Sequence, residues 1–107
     1  MLKRKYRLAN LRNFNKARFL ESQFFTLRFS QNQNKEPKFA FVISKKIDKK
    51  AVARNKIKRY LSGSIASIID KISPGDYILI AKKEIVNKNQ EEVKSEVEKI
   101  FKEKHIT

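Results

Sequence analysis

Ile57, Leu61, Ile65, Ile68 and Ile72 step along the chain by four, four, three and four positions. On a helix of 3.6 residues per turn these steps keep all five side chains in one stripe, whereas a strand would scatter them over both faces. The spacing predicts a helix from about Lys50 to Lys71 that must lie on an apolar layer supplied by the rest of the chain. Gly63 falls inside this helix, where Gly costs up to about 1 kcal/mol relative to Ala. It marks either a bend or a close contact with a neighbouring element.

The other elements show where that layer comes from. Residues 10–20 read as a short helix, with Phe14 and Ala17 or Arg18 on one side and Leu11 and Phe19 nearby. From Phe24 the period changes to two: Phe25, Leu27 and Phe29 alternate with Phe24, Thr26 and Arg28, the pattern of a half-buried strand. The stretch SQNQNKEPK, residues 30–38, reads as a loop to a second, antiparallel strand running from Phe39 to about Lys46. Phe39, Phe41 and Ile43 are bulky, while Ala40, Val42, Ser44 and Lys46 face the other way and leave room for something to lie on them. Ser73-Pro-Gly-Asp76 is a turn, and the nearly all-apolar run Tyr77–Ala81 predicts a central strand.

A last helix begins near Asn89. Asn89 and Glu92 have cap spacing, Glu91, Glu92 and Glu96 come early, and Lys99, Lys102 and Lys104 come late, as the helix dipole favours. Val93, Val97, Ile100 and Phe101 form its buried stripe. The order helix, strand, strand, helix, strand, helix predicts a two-layer α+β sandwich, αββαβα, with helices packed on a small mixed sheet. All 107 residues fit one domain, 1–107, with 1–9 expected as a flexible basic tail.

Most side-chain chemistry is excluded. The chain has no Cys, so no disulfide framework or thiolate metal site exists. The longest apolar runs, Phe39–Ile43 and Tyr77–Ala81, are five residues against the roughly 20 that cross a bilayer, and the basic start has no apolar stretch after it to act as a secretory signal. A cytoplasmic setting is expected. The only His, His105, lies near the end, and Gly63 and Gly75 stand alone, so neither a nucleophile–base pair nor a phosphate loop is present.

Charge is what remains. Of the net +15, all of the excess sits in residues 1–60, which hold 18 Lys or Arg against Glu21, Glu36 and Asp48; residues 61–107 hold eight of each sign. Arg54, Lys56, Lys58 and Arg59 crowd the first turns of the long helix, and no acid occurs between Asp48 and Asp70. A solvated helix face usually pairs Lys or Arg with Glu four residues away. With Ile57 at zero, Lys58 falls at about 100°, Asn55 about 160°, Arg59 about 200° and Lys56 about 260°. Arg54 falls near about 60°, on the apolar azimuth. It either caps the edge of the core or marks a helix start that overhangs the sheet, and overhang is expected because the crowded charge otherwise lacks a counterion. Such a cluster gains affinity by releasing counterions condensed on a nucleic acid, and Arg adds forked hydrogen bonds to phosphate. Phe25, Phe39 and Phe41 are expected in the core, whereas Phe14 and Phe24 are the candidates for stacking on bases.

The run FAFVISKKIDKKAVARNKIKRYL, Phe39–Leu61, resembles the signature of the bacterial ribonuclease P protein subunit: a strand ending in Ser-Lys-Lys, a short turn, then a helix bearing Arg-Asn-Arg and Lys-Arg. Arg7, Leu8 and Phe14 match its basic N-terminus, and DYILIAKKE is similar to its last strand. The resemblance implies the αββαβα fold and a role beside a catalytic RNA that, with magnesium, cleaves precursor tRNA to give the mature 5′ end. It implies that Arg54, Asn55, Lys56, Lys58 and Arg59, with Lys45, Lys46 and Lys50 close by, contact that RNA or the 5′ leader. Phe14, Ala40, Val42 and Ser44, and Phe24 by its stacking candidacy, would line the leader cleft. The implied partners are the catalytic RNA and precursor tRNA, with no membrane and no protein partner required, and magnesium held mainly by the RNA.

Several positions depart from the signature. Lys56 stands where a second Arg is usual, Ser62 where a further Arg is common, Asp48-Lys-Lys50 replaces a shorter Gly-containing turn, and Arg18, beside Phe19, takes the place of an aromatic. Two rival readings are a ribosomal or RRM-like RNA-binding protein, because KFAFV partly imitates an RRM stacking strand, and a nuclease using its own side chains.

Overall fold

A computed structural model describes Tyr6 and residues 18–30 and 37–103. The expected helix over 10–17, Phe14 with it, and all of the expected tail except Tyr6 lie outside the described residues; Tyr6 itself packs against the core. The elements are β1 (Arg18–Glu21), β2 (Phe25–Ser30), β3 (Lys38–Val42), α1 (Ala51–Ser67), β4 (Asp76–Ala81) and α2 (Gln90–Glu103), with single 3₁₀ turns at Ile69–Lys71 and Lys83–Ile85. The sheet order is β1-β2-β4-β3. β4 pairs antiparallel with β2 and parallel with β3. Parallel neighbours need a crossover, and α1 provides it.

The α+β sandwich expected from the sequence is therefore present, and three details differ. Residues 18–20, expected to close the first helix, belong to β1, which forms a hairpin with β2. Ser22 makes that turn: its Oγ accepts from the Phe24 amide at 3.0 Å and its own amide donates to the Phe25 carbonyl at 2.9 Å. Such local Ser bonds compete with helix, and a pattern of apolar spacing does not register them. Second, β2 and β3 are not partners; β4 inserts between them, because a strand apolar on both faces is best buried in the middle. Third, α1 stops at Ser67, and the stripe continues to Ile72 through the 3₁₀ turn, before Ser73-Pro74 forces extended backbone.

Both helices contribute to one core. Ile57, Leu61, Ile65, Ile68 and Ile72 meet Phe25, Leu27, Phe39, Tyr77 and Leu79 from the sheet and Val93, Val97, Ile100 and Phe101 from α2. Tyr77 stacks on Phe39 with ring centroids 5.1 Å apart, and its hydroxyl donates to the Ser73 carbonyl at 2.7 Å. At Gly75 an added Cβ would lie 3.1 Å from the Ser30 carbonyl and 3.2 Å from the Tyr77 hydroxyl, so a side chain there would press these neighbours back by a few tenths of an ångström. Beside Gly63 lies the Gln90 side chain, which an added Cβ would meet at 3.7 Å, an ordinary packing distance. Gln90, at the start of α2, reaches across the glycine and donates to the Tyr60 carbonyl at 3.1 Å and to Ser64 Oγ at 3.2 Å.

Candidate nucleic-acid interface

Strand alternation sends Phe39 and Phe41 toward the helices and Ala40 and Val42 to the second face of the sheet. The strand register extends that face into two transverse rows: Phe19, Arg28, Ile78 and Ala40, then Glu21, Thr26, Ile80 and Val42. Ala40 is half-buried, Val42 is 38 % exposed, and Ser44, just past the strand, is exposed. Ile78 is buried, and the half-buried Thr26, Ile80 and Ala40 with the exposed Val42 and Ser44 leave a surface suited to flat, partly apolar groups.

From Val42 the chain passes through a short loop into α1. Lys45, Lys46, Lys49 and Lys50 are all exposed on it, and Ile47 closes its turn by donating from its amide to the Ser44 carbonyl at 3.0 Å. Asn55, Lys56, Lys58 and Arg59 are exposed on the following turns, and Lys56 Nζ lies 5.8 Å from the centroid of the Tyr60 ring one turn on. Lys82 pairs with Glu21 and Lys88 with Glu92, whereas none of the cations from Lys45 to Arg59 is paired with a carboxylate among the described residues. Asp48, the one acid in the sequence between Lys45 and Arg59, turns its Oδ1 to the Lys50 amide, 2.9 Å away, and caps the chain instead of a cation. The start of α1 has no side-chain cap and no acid in its first turn.

Arg54 behaves differently from its neighbours. It is half-buried, and its Nη1 donates to the main-chain carbonyls of Asp48 and Lys49, both at 3.1 Å. The helix start is exposed, with Val52 at 80 %, as an overhang requires, and the guanidinium folds back on the loop that precedes the helix. Phe24 is corrected as a stacking residue. It is 8 % exposed, sits in the helix-side core beside α2, and has Lys88 Nζ 5.5 Å from its ring centroid. The Ser22 turn carries it out of the strand's alternation, a shift the period-two reading could not detect.

Three further residues belong to this surface. Lys49 adds a cation to the loop. Phe19, 59 % exposed, carries the Arg28 guanidinium over its ring at 4.9 Å, and Arg28 Nε is shielded from solvent with no hydrogen-bond partner among the described residues. Alternation in β2 already placed Arg28 on the polar side; Phe19 was obscured by the expected helix. Among the described residues, no group of three or more His, Asp or Glu side chains could hold a metal ion, and no helix is long and apolar enough to cross a membrane.

Known proteins are similar to this chain in sequence and in fold. The profile of the family described as Ribonuclease P matches residues 2–105. The Ribonuclease P protein component of Listeria welshimeri is 34% identical over 107 aligned positions, covering 94% of this chain and 89% of that protein. In fold, the chain is similar to the RNase P protein of Staphylococcus aureus, with a TM-score of 0.85 at 23% identity over 94% of this chain and 96% of that one. It is also similar to that of Thermotoga maritima, with a TM-score of 0.81 at 22% identity over 91% and 96%. A profile spanning nearly the whole sequence, joined to a relative above 30% identity over most of both chains, establishes that this chain belongs to the ribonuclease P protein family.

Proposed function

We propose that this chain is the protein subunit of a ribonucleoprotein that removes the 5′ leader of precursor tRNA, with bond breaking carried out by the RNA partner. The observation that carries the reading is the exposed run of cations from Lys45 to Arg59 with no carboxylate partner among the described residues. Lys45, Lys46, Lys49, Lys50, Lys56, Lys58 and Arg59 would meet phosphates of the catalytic RNA, with Asn55 supplying a neutral donor and acceptor among them. Release of condensed counterions favours such a contact, and the favourable effect weakens steeply with salt. Ala40, Val42 and Ser44 begin the surface that would take the single-stranded leader, and the side chains of Ile80 and Thr26 extend it. Magnesium belongs, in this reading, to the RNA.

The RRM-like alternative loses its support at Phe39, which is 2 % exposed and stacked on Tyr77, so it has no free face for a base. Cleavage of precursor tRNA tests the proposal. Activity at physiological magnesium should require both the chain and a bacterial ribonuclease P RNA, and the chain's contribution to substrate affinity should shrink as the leader is shortened. Cleavage by the protein alone would overturn the assignment of chemistry to RNA. Equal benefit to a leaderless substrate would remove the leader surface.

A further inference from the structure

We infer that Arg54 is a positioning residue that fixes the lysine-bearing loop, and that it does not itself hold a phosphate. The inference rests on the RNA-binding reading above and gives one member of the basic run a separate task.

The loop from Ser44 to Lys50 carries Lys45, Lys46, Lys49 and Lys50, four like charges that repel one another, and only Asp48 opposes them in sequence. Asp48 Oδ1 accepts from the Lys50 amide, so its carboxylate shapes the backbone. The Arg54 guanidinium, one turn into α1, donates from a single Nη1 to the carbonyls of Asp48 and Lys49, at 3.1 Å each. These bonds join the loop to the first turn of the helix, whose own amide at Arg54 donates to the Lys50 carbonyl at 3.1 Å. Carbonyls leave the guanidinium charge in place. Arg54 therefore restrains the loop and also keeps the local field positive, which a carboxylate in the same role would cancel. Its half-buried position agrees, since Lys56, Lys58 and Arg59 are exposed. A charged hydrogen bond to a backbone carbonyl is among the stronger local restraints available to a short loop.

Two measurements test this. In the free protein, Arg54→Ala should speed hydrogen exchange at the Ile47 and Lys50 amides by about tenfold, while Arg59→Ala leaves both unchanged. Unaltered exchange in Arg54→Ala would show that the contact restrains nothing. The second is a double-mutant cycle on affinity for a bacterial ribonuclease P RNA at low salt. Arg54→Ala should lower affinity roughly tenfold in the parent and less than about twofold once Lys45, Lys46, Lys49 and Lys50 are all replaced by Ala, because the loop then has nothing to present. An equal loss in both backgrounds would mean a direct RNA contact and would overturn the inference, as would no loss in the parent or a loop-neutral variant that binds as well as the parent. Failure of the parent chain itself to bind RNA would refute the functional reading, and that result is seen before any variant is made.

Discussion

The two helices of this molecule treat charge in opposite ways. α2 follows the rules that stabilise an isolated helix: Asn89 Oδ1 caps the Glu92 amide at 2.8 Å, Glu91 and Glu92 occupy its first turn, and Lys102 its last. α1 lacks a side-chain cap, has no acid in its first turn and no base in its last, and gathers Lys49, Lys50 and Arg54 around the positive end of its dipole. Each such cation works against the helix by about 0.3–1 kcal/mol at low ionic strength. A helix that departs this far from the favourable arrangement, beside one that keeps it, has its surface set by something other than its own stability. Its underside, with Ile57, Leu61 and Ile65 buried, is as well packed as that of α2. The difference is confined to the side that faces away from the core.

That contrast can be broken or sharpened by substitution. The largest effect should come from the underside. Leu61→Ala, at a fully buried position, should lower unfolding free energy by about 2–5 kcal/mol in denaturant titration. RNA affinity measured where the variant is still folded should not change. On the outer side, Arg59→Ala should leave stability nearly unchanged and lower RNA affinity by roughly ten- to a hundredfold, read by a filter-binding titration.

Smaller effects separate the helix starts. Lys50 sits at the N-cap of α1 with extended backbone and no cap bond, so Lys50→Asp should stabilise the fold by about 1 kcal/mol while weakening RNA binding. Asn89→Ala in α2 should cost about 1 kcal/mol and leave RNA binding intact. If Lys50→Asp instead strengthens both, α1 has no partner to which its charge is matched.

The smallest effect is at the hairpin. Lys82 donates to Glu21, and this bond, with the nearby positive charge, holds the exposed Glu21 carboxyl below its ordinary value of 4.5. A depressed carboxylate favours the folded state above its unfolded pKa, and that contribution disappears as pH falls through the lower folded value. Glu21→Gln should therefore lower stability slightly at neutral pH, where the contribution is fully present, and flatten the acid limb, with variant and parent converging below the folded value.

Much of this was legible in the sequence where a single period governs a long element. The stripes of α1 and α2 and the central place of β4 follow from spacing and apolarity alone, because packing against one layer leaves a regular trace. Pairing partners left a weaker trace: nothing in SQNQNKEPK says that β4 will come between the strands on either side of it. The burial of Phe24 and the carbonyl partners of Arg54 escaped the sequence for related reasons. A turn built on Ser22 moves one aromatic ring across the alternation, and a guanidinium on a long side chain can leave the azimuth of its own Cα to reach carbonyls behind it. The basic run itself was read directly, since the absence of acid from residues 49–69 is a property of composition and needs no geometry.

The salt dependence of RNA affinity tests the central claim most directly. Lys56→Ala/Arg59→Ala on α1 should lower the slope of log affinity against log salt by about 1.4–1.8, two phosphate contacts at about 0.7–0.9 each, while Lys94→Ala/Lys99→Ala on α2 leaves it unchanged. Equal slopes for the two double variants would contradict the account, because charge on α1 would then be no closer to RNA than charge on α2.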